Sequence, residues 1–471
     1  MNKRAPVKNN DKFLHPMQPM KLIVAAMLLS YPPFAAFAAD PVAPPGAGSI
    51  LQQIQPVKPI APSSTGTGLT IEREGGAQLP PSASFNISSI QLSGNAAFDT
   101  ATLHALVADA EGKNLTLAQL GEVVARITDY YHSHGFPLAR AIIPAQAIQG
   151  GVVRVTVIEA RYGQIRLDNR SRVNDSLLQQ TLSPLQAGQA VTQDELDRAL
   201  LLVSDIPGVA VTAILKPGEA VGTSDLQVQS DATARVAGNA TVDNNGNRYT
   251  GRARLGASVN VFDPLHLGDV LSIGGLTSGR DLNYGSVAYE ALLNGMGTRM
   301  GASYSALHYR LGDSLSALDG HGTAQVASGW VKHPFMRTRS ANLYGQIQYD
   351  HKQLKDEIGA TNIKTDRHLD NWTASLNGDW RNAILAGGIG TWNIGVTAGR
   401  VGFDDQAAQL ADAATAKTQG SFTKWNANFA QLQNLTQDNS LFFALSYQWA
   451  NGNLDSAEKM IAGGPYTVRA Y

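Results

Sequence analysis

The sequence predicts an antiparallel transmembrane β-barrel that follows two small α+β domains. Three patterns support this fold class. After residue 230, about eleven segments of roughly 9–14 residues alternate apolar and polar positions, as membrane strands do. Before them, two successive stretches each have the predicted order β-α-α-β-β, which indicates an internal repeat. An apolar run near the N-terminus precedes an A-x-A sequence, which is typical of exported proteins.

The composition limits the possible function classes. The chain has 471 residues, with 37 Lys and Arg, 38 Asp and Glu, and a formal net charge of −1. This balance gives no support to a nucleic-acid partner, since such proteins carry a basic patch or stripe. Cysteine is absent, which excludes disulfides, thiolate metal sites and cysteine nucleophiles and suits export through an oxidising periplasm.

Residues 1–39 are predicted to be a signal peptide. Basic residues precede an apolar run at 22–29, and the segment ends in Ala-Phe-Ala at 36–38. The run is shorter than the ~20 apolar residues that a spanning helix needs, so a short membrane anchor is the weaker alternative. Met1 and Met20 both remain possible starts.

Residues 40–83 are predicted to be a Pro-rich linker. Prolines recur there among Ser, Thr and Gly, and they prevent long helices. Residues 50–54 (Ile-Leu-Gln-Gln-Ile) could form two helical turns, which makes this stretch a possible plug segment. A disordered tether is the favoured interpretation.

The two repeated units are predicted over residues 84–160 and 161–230. The first has a strand, a helix capped by Asp99, a helix that begins at Thr116, and two further strands, with the strands at 85–92, 139–145 and 152–158. The second has the same order, with strands at 163–167, 209–215 and 225–228 and helices capped by Asn174 or Asp175 and by Thr192. Thr192 and Glu195 have the spacing of a capping box. Each unit should be a small sheet covered on one face by two helices.

Residues 231–471 form the predicted barrel region. In its clearest segment two sets of side chains face opposite sides: Arg252, Arg254, Ser258 and Asn260 against Ala253, Leu255, Ala257, Val259 and Val261. A soluble sandwich with one wet face would alternate in the same way. The strand length favours a membrane barrel.

Aromatic residues and connections also favour the barrel. Aromatics near strand ends are predicted to form an interfacial girdle; they are Tyr309, Trp330, Phe335, Tyr447 and Trp449. Short turns are predicted at 263–264 and 294–297, and longer polar loops near 352–365 and 404–420.

The last residues carry a family resemblance. Residues 454–471, Leu-Asp-Ser-Ala-Glu-Lys-Met-Ile-Ala-Gly-Gly-Pro-Tyr-Thr-Val-Arg-Ala-Tyr, resemble the signature that follows the eleventh barrel strand in two-partner secretion transporters. These pores of the Omp85 superfamily export haemolysins and filamentous haemagglutinins. The repeated units resemble that family's polypeptide-transport-associated (POTRA) domains, so the resemblance extends over about residues 84–471.

The resemblance implies a function and partners. An unfolded exoprotein of haemolysin, haemagglutinin or adhesin type would bind the periplasmic POTRA domains through its N-terminal secretion domain. It would then cross the outer membrane through the barrel without nucleotide. An open sheet edge beside a helix offers β-augmentation to an extended segment. The partners implied are therefore this exoprotein and outer-membrane lipid, with no nucleic acid.

The resemblance also implies a site. The loop with Gly463, Gly464, Val468, Arg469, Ala470 and Tyr471 would fold back into the barrel lumen. Arg469 would pair there with an acidic residue of a later strand, since a guanidinium grips a carboxylate bidentately. The family has 16 strands and about eleven are counted here. We therefore expect a C-terminally incomplete barrel, from a fragment or a truncated gene.

Other functions fit the sequence less well. The alternatives are an assembly factor of the Omp85 superfamily, a non-functional truncated transporter, and a surface protein such as an adhesin or a barrel-linked enzyme. We expect no catalytic residue, no metal and no cofactor. His132 and His134 lie where a helix should end at Gly135, a position where histidine is common.

Overall fold

A computed structural model describes residues 44–54, 62–72, 82–461 and 463. The predicted signal peptide lies outside the described residues, as do three parts of the predicted linker, residues 40–43, 55–61 and 73–81. Six α-helices are described: α1 Ala47–Ile54, α2 Thr100–Ala105, α3 Leu117–Ser133, α4 Asp175–Leu182, α5 Gln193–Ser204 and α6 Gln406–Ala414. None of the helices in this part of the chain is long and apolar enough to cross a membrane.

The strands of the first half are short. They are β1 Leu69–Ile71, β2 Phe85–Asn86, β3 Ser89–Ser93, β4 Asn114–Leu115, β5 Arg140–Ile142, β6 Val152–Ile158, β7 Arg161–Arg170, β8 Val209–Pro217 and β9 Thr223–Ala232. The second half has eleven strands of 8 to 20 residues. They are β10 Val236–Asp243, β11 Arg254–Phe262, β12 Val270–Thr277, β13 Leu282–Leu292, β14 Arg299–Arg310, β15 Gly320–Arg337, β16 Ala341–Ile358, β17 Ile363–Asn382, β18 Gly388–Phe403, β19 Gly420–Asn434 and β20 Ser440–Ala450.

The first unit is a three-stranded sheet with order β3-β6-β5, in which β3 is parallel and β5 antiparallel to the central β6. Helix α3 begins with a capping box between Thr116 and Gln119. It buries one apolar face against the sheet, because Leu120, Val124 and Ile127 recur at helical spacing. The predicted β-α-α-β-β order of residues 84–160 is confirmed, with a small additional pair, β2-β4.

The second unit repeats this topology. Strand β9 lies between the parallel β7 and the antiparallel β8, and helices α4 and α5 bury leucines such as Leu178 and Leu200 against the sheet. Of the two predicted caps, Asn174 and not Asp175 caps α4. The capping box predicted at Thr192 is not formed. Its hydroxyl donates to Glu195 Oε2 at 3.0 Å instead of accepting from the helix backbone.

The second unit has a fourth strand that comes from the linker. Strand β1 pairs in parallel with β8, with Leu69 opposite Ala213 and Ile71 opposite Leu215. The outer edge of β8, beside α5, is therefore occupied by an extended segment from outside the repeat.

Strands β10–β20 form a single antiparallel sheet in chain order, which we call the wall sheet. Its strands have 8 to 20 residues, and their number agrees with the predicted eleven. We call the face that contacts α1 the inner face and the opposite face the outer face. Side chains alternate between the faces, so Arg254 is 6% exposed on the inner face and the adjacent Leu255 is 54% exposed on the outer face.

The two faces of the wall sheet differ in polarity. Large apolar side chains stand exposed on the outer face, among them Val259, Ile273, Val287, Met300, Ile347, Trp372, Ile394, Trp425, Leu445 and Trp449. Polar uncharged side chains occupy much of the inner face, among them Gln346, Gln348, Ser375, Asn377, Asn393, Asn426 and Asn428. A sheet with an apolar outside and a polar inside is the arrangement of a membrane barrel wall.

Two of the five predicted girdle aromatics were wrongly assigned. Phe335, Tyr447 and Trp449 are exposed on the outer face, as an interfacial girdle requires. Tyr309 and Trp330 lie on the inner face, where the Tyr309 hydroxyl donates to Asp356 at 2.5 Å and the Trp330 indole N–H to Glu290 at 2.8 Å. Their polar groups have carboxylate partners inside, so the side chains face inward.

The predicted long loops also need correction. The loop expected at 352–365 is mostly strand, since β16 continues to Ile358 and β17 starts at Ile363. The loop expected at 404–420 contains helix α6, whose first N–H groups donate to the Asp405 side chain at 2.7 and 3.1 Å. Charged positions in these segments were interpreted as loop, although long strands also carry charges where they leave the membrane.

The second unit packs against the turns at one end of the wall sheet, which we call the near end. The Asn174 backbone N–H donates to the carbonyl of His266 in the β11–β12 turn at 3.0 Å. Leu292, at the end of β13, belongs to the buried core of the second unit. The second unit and the wall sheet are consecutive in the chain, from β9 to β10, and contacts with the near-end turns hold them together.

A buried carboxylate fixes the first unit. Glu159 Oε1 accepts hydrogen bonds from the N–H groups of Ala96 and Ala97, each at 2.7 Å, and from the Tyr131 hydroxyl at 2.8 Å. Burial by itself raises the pKa of Glu159, but these donors outweigh it and hold the pKa below its usual value. Burial and the adjacent carboxylate raise the pKa of Tyr131.

We predict that Glu159→Gln loosens the 94–98 turn, because a neutral acceptor replaces a carboxylate with three donors. The local free energy of opening should fall by about 1–3 kcal/mol. Hydrogen exchange of the Ala96 and Ala97 amides in the intact protein measures it. The exposed Glu122→Gln is the control. In the parent protein the stabilisation should be complete above pH ~4.3 and be lost as the pH falls through the lower folded-state pKa. Unchanged exchange in Glu159→Gln would contradict the assignment.

Candidate functional site

Helix α1 lies on the inner face of the wall sheet. Ala47, Ile50 and Leu51 are at most 5% exposed and pack in a cluster formed by Leu282, Leu307, Tyr309, Leu311, Ala324, Val326, Leu354, Leu369, Val401, Phe422, Leu454 and Ala457. This patch is the apolar part of an otherwise polar inner face. The expectation of a tether without regular structure is therefore wrong for residues 47–54.

A carboxylate holds the N-terminus of α1. The Ala47 N–H donates to Asp356 Oδ1 at 2.7 Å. Asp356 also accepts from Arg367 Nη1 at 2.7 Å. A negative charge is favourable at this end of a helix, because the first N–H groups carry partial positive charge and have no partner within the helix.

Residues 454–458, which follow β20, turn back onto the inner face; we call them the return segment. Four of its five side chains are under 10% exposed: Leu454, Asp455, Ala457 and Glu458. A five-residue stretch that buries two carboxylates requires specific partners, since an unpaired buried charge is very unfavourable.

Three basic side chains of the wall sheet supply those partners. Glu458 forms ion pairs with Lys352 and Lys424, each at 2.5 Å, and accepts from the Asn371 amide at 2.8 Å. Asp455 pairs with Arg367 Nε at 2.7 Å. The return segment is thereby attached to β16, β17 and β19.

Helix α1 and the return segment form one assembly. The Gln52 amide donates to the Ala457 carbonyl, and Arg367 joins Asp356, which holds the helix, to Asp455 of the return segment. A Cβ atom at Gly48 would stand 2.6 Å from Ser456 Oγ and 2.7 Å from the Ala457 backbone nitrogen. Gly48 thus permits the helix to approach the segment closely.

The linker after α1 follows the near end of the wall sheet. Arg381 Nη2 donates to the Ser63 carbonyl at 2.5 Å, and the Ser63 hydroxyl donates to Asp379 at 2.6 Å. The chain then continues into β1 on the second unit. One segment, residues 44–72 with a gap at 55–61, therefore joins the inner face to the edge of β8.

The sequence-predicted loop motif is only partly described. Gly463 follows the return segment and is exposed, whereas Gly464, Val468, Arg469, Ala470 and Tyr471 lie outside the described residues. Arg254 and Leu255 lie on opposite faces as alternation predicts, and Arg254 forms an ion pair with Asp243 at 2.8 Å on the inner face. His132 and His134 contact backbone carbonyls at 3.0 and 2.7 Å, as at an ordinary helix end.

The ionic site around the return segment was not predicted from the sequence. Lys352 was assigned to a loop, and Arg367, Lys424, Asp455 and Glu458 were not singled out. The available signal was two acidic residues directly after the last strand. Their partners are 34 to 106 residues away in sequence, so periodicity could not identify them.

Comparison with known proteins identifies the family. Residues 222–471 match the haemolysin secretion/activation protein family ShlB/FhaC/HecB. The chain belongs to this family. Residues 85–160 separately match the ShlB-type POTRA domain, which confirms the predicted nature of the first unit. The haemolysin secretion/activation family is one of secretion proteins, not of enzymes.

Two relatives with transporter names resemble most of this chain. The heme/hemopexin transporter protein HuxB of Haemophilus influenzae is 27% identical over 76% of this chain. The outer membrane transporter CdiB of Escherichia coli is 25% identical over 82% of it. The chain spans 64% of the length of that HuxB protein and 66% of that CdiB protein.

Solved structures agree on the fold. CdiB from Escherichia coli superposes with a TM-score of 0.62 at 21% identity, over 85% of this chain and 74% of that one. CdiB from Acinetobacter baumannii superposes with a TM-score of 0.52 at 18% identity. The predicted fold class is thereby confirmed for a POTRA domain followed by eleven antiparallel strands that resemble those of a transmembrane barrel.

We predict that Gly48→Ala weakens the packing of α1 on the inner face of the wall sheet. The substitution raises intrinsic helix propensity by about 1 kcal/mol, but the added Cβ collides with the return segment. Maleimide labelling of a cysteine at Ile50, which is 1% exposed, should become about fivefold faster, as a loss of about 1 kcal/mol would produce. Ser49→Ala raises propensity at the next position without this collision and removes only the Ser49 hydroxyl's hydrogen bond to the Gly46 carbonyl at 2.9 Å, so it should change labelling much less than Gly48→Ala. Equal rates for both variants would show that the close approach is not required.

Proposed function

We propose that this protein exports a partner exoprotein across the bacterial outer membrane, with the wall sheet in the membrane and the two units in the periplasm. The observation that carries the proposal is the wall sheet itself, which is apolar outside and polar inside and directly follows the two units. Lipid would contact the outer face, and an unfolded chain would pass along the inner face. Family membership and the transporter names of the relatives support this reading.

We infer that the second unit is also a POTRA domain and that both units bind the exoprotein. The support is its strand order, which repeats that of the first unit. The edge of β8 already accepts the extended strand β1, which is the geometry of β-augmentation. An extended segment from the N-terminal secretion domain of a haemolysin, haemagglutinin or adhesin would bind there in place of β1.

Helix α1 fits the role of a plug in this function. It covers an apolar patch on the face along which the exoprotein would move, and it is joined to β1 by the linker. An exoprotein that moves along the inner face would therefore have to displace both α1 and β1.

The loop motif completes the proposal. Gly463, Gly464, Val468, Arg469, Ala470 and Tyr471 would continue the return segment into the lumen, with Arg469 paired to a carboxylate of a later strand. The ion pairs of Asp455 and Glu458 support an inward course for the residues just before the motif.

Export is tested by locking β1 in position. Thr70→Cys with Ile214→Cys introduces a pair at opposed positions of β1 and β8 in a chain without other cysteines. Partner protein in the culture medium should fall severalfold under oxidising conditions and recover with reductant. Ala210→Cys with Asp231→Cys joins β8 to β9, which stay paired throughout, and should not change export. A partner that stays cell-associated even with the parent protein would refute the proposed function.

The role of Arg469 is tested by measuring secretion from cells. Arg469→Ala should reduce the amount of secreted partner about tenfold or more, while the amount of transporter in the outer membrane stays constant, because the residue anchors a loop and not the wall. Arg469→Lys keeps the charge without the bidentate geometry and should give an intermediate result. Normal secretion by Arg469→Ala would remove the residue from the site.

A further inference from the structure

Arg337 is the largest fully buried side chain in the described part of the chain, with an exposed fraction of 0%. It ends β15, at the near end of the wall sheet. Its guanidinium uses all five N–H donors. Nε and Nη2 donate to the two oxygens of Asp205 at 2.7 and 2.8 Å, and Nη2 also donates to the Ser64 carbonyl at 2.8 Å. Nη1 donates to Asn342 Oδ1 at 3.1 Å and to the Thr338 carbonyl at 3.2 Å.

These partners belong to three different parts of the molecule. Asp205 is the C-cap residue of α5 in the second unit. Ser64 lies in the linker between α1 and β1. Thr338 and Asn342 flank the β15–β16 turn of the wall sheet. A single buried side chain therefore joins the unit, the linker and the wall.

Arg339 repeats the arrangement in a more exposed position. It donates to Asp197 of α5 at 2.5 Å and to the Thr67 hydroxyl of the linker at 3.3 Å. Arg198 of α5 differs from both. It donates to the carbonyls of Pro334 and Phe335 in the wall at 3.1 and 3.5 Å, and no described contact of Arg198 involves the linker.

We propose that Arg337 is a positioning residue that couples the seating of the linker to the docking of the second unit on the wall. This inference rests on the proposed function, in which the linker must leave. When the linker leaves, one N–H of a buried guanidinium loses its acceptor, and such a loss is unfavourable. The Asp205 pair then becomes weaker, because the guanidinium must move or admit water. By linkage, loosening the unit weakens linker binding by the same factor.

The consequence is that one event prepares both functional surfaces. Release of the linker uncovers the β8 edge and frees α1 to leave the inner face. Through Arg337 it also loosens the second unit from the near end of the wall, where the entering chain must pass. A linker held only by β1–β8 pairing would leave the unit firmly docked.

Two cysteine reporters test the coupling, since the chain has no native cysteine. Leu69→Cys in β1 reports linker seating, because Leu69 packs against the core of the second unit. Leu202→Cys in α5 reports docking, because Leu202 is 8% exposed and lies against Gly297 of the β13–β14 turn. Maleimide labelling rates are measured in outer-membrane preparations of the full-length protein without partner.

Arg337→Lys and the isosteric Asp205→Asn should each accelerate labelling at both reporters by about tenfold, within the usual range of coupling between sites. Arg198→Ala removes a docking contact away from the linker, so it should accelerate labelling at Leu202→Cys more than at Leu69→Cys, whereas Arg337→Lys should accelerate both alike. Thr70→Pro, which deprives β1 of a backbone donor, should accelerate labelling at Leu202→Cys as well. Combining Thr70→Pro with Arg337→Lys should add little to either change alone.

Two results would overturn the proposal. One is an unchanged rate at Leu69→Cys in both Arg337→Lys and Asp205→Asn, and the other is an unchanged rate at Leu202→Cys in Thr70→Pro. Either would make Arg337 a docking contact without influence on the linker. Because no exoprotein is present, the labelling result is independent of export. A protein that shows coupled labelling but secretes no partner would refute the proposed function and leave the coupling intact.

Discussion

The buried ion pairs of Arg367 hold the inner side of the molecule together. This guanidinium joins Asp356, which binds the N-terminus of α1, to Asp455 of the return segment. Removing one partner would leave a charge unpaired in a buried site, which is a severe penalty. The N-terminus of α1 and the return segment therefore share one guanidinium of β17 through Asp356 and Asp455, so departure of the helix is expected to loosen the return segment while the wall strands stay paired.

The sequence predicted the repeated units well, because their local signals agree with their tertiary structure. Thr116 and Asn174 cap the helices they were expected to cap, and the apolar positions of α3 recur at helical spacing. Alternation likewise identified the wall strands and the side of Arg254. These features depend on residues that are close together in the chain, so their pattern can be recognised in a single sequence.

The features that the sequence could not predict depend on distant partners. Tyr309 was assigned to a girdle because aromatics suit an interface, yet its hydroxyl is bound by Asp356, 47 residues away. Lys352 was assigned to a loop because its partner, Glu458, lies 106 residues away in sequence. Residues 47–54 were expected to be part of a tether because prolines flank them. The helix α1 forms there because it packs against an apolar patch whose residues are distant in sequence. Arg337 carried no local signal at all.

The length of α1 has a consequence for how the pore would close again. A helix of eight residues is well below the ~12–15 residues at which isolated helices become even marginal in water. Once away from the wall, residues 47–54 should lose their helical form and behave as part of a flexible chain. Return of this segment to the inner face would then be coupled folding and binding, because its helical turns must form on the apolar patch itself. An open state would therefore persist for as long as that nucleation takes, even with the segment tethered nearby.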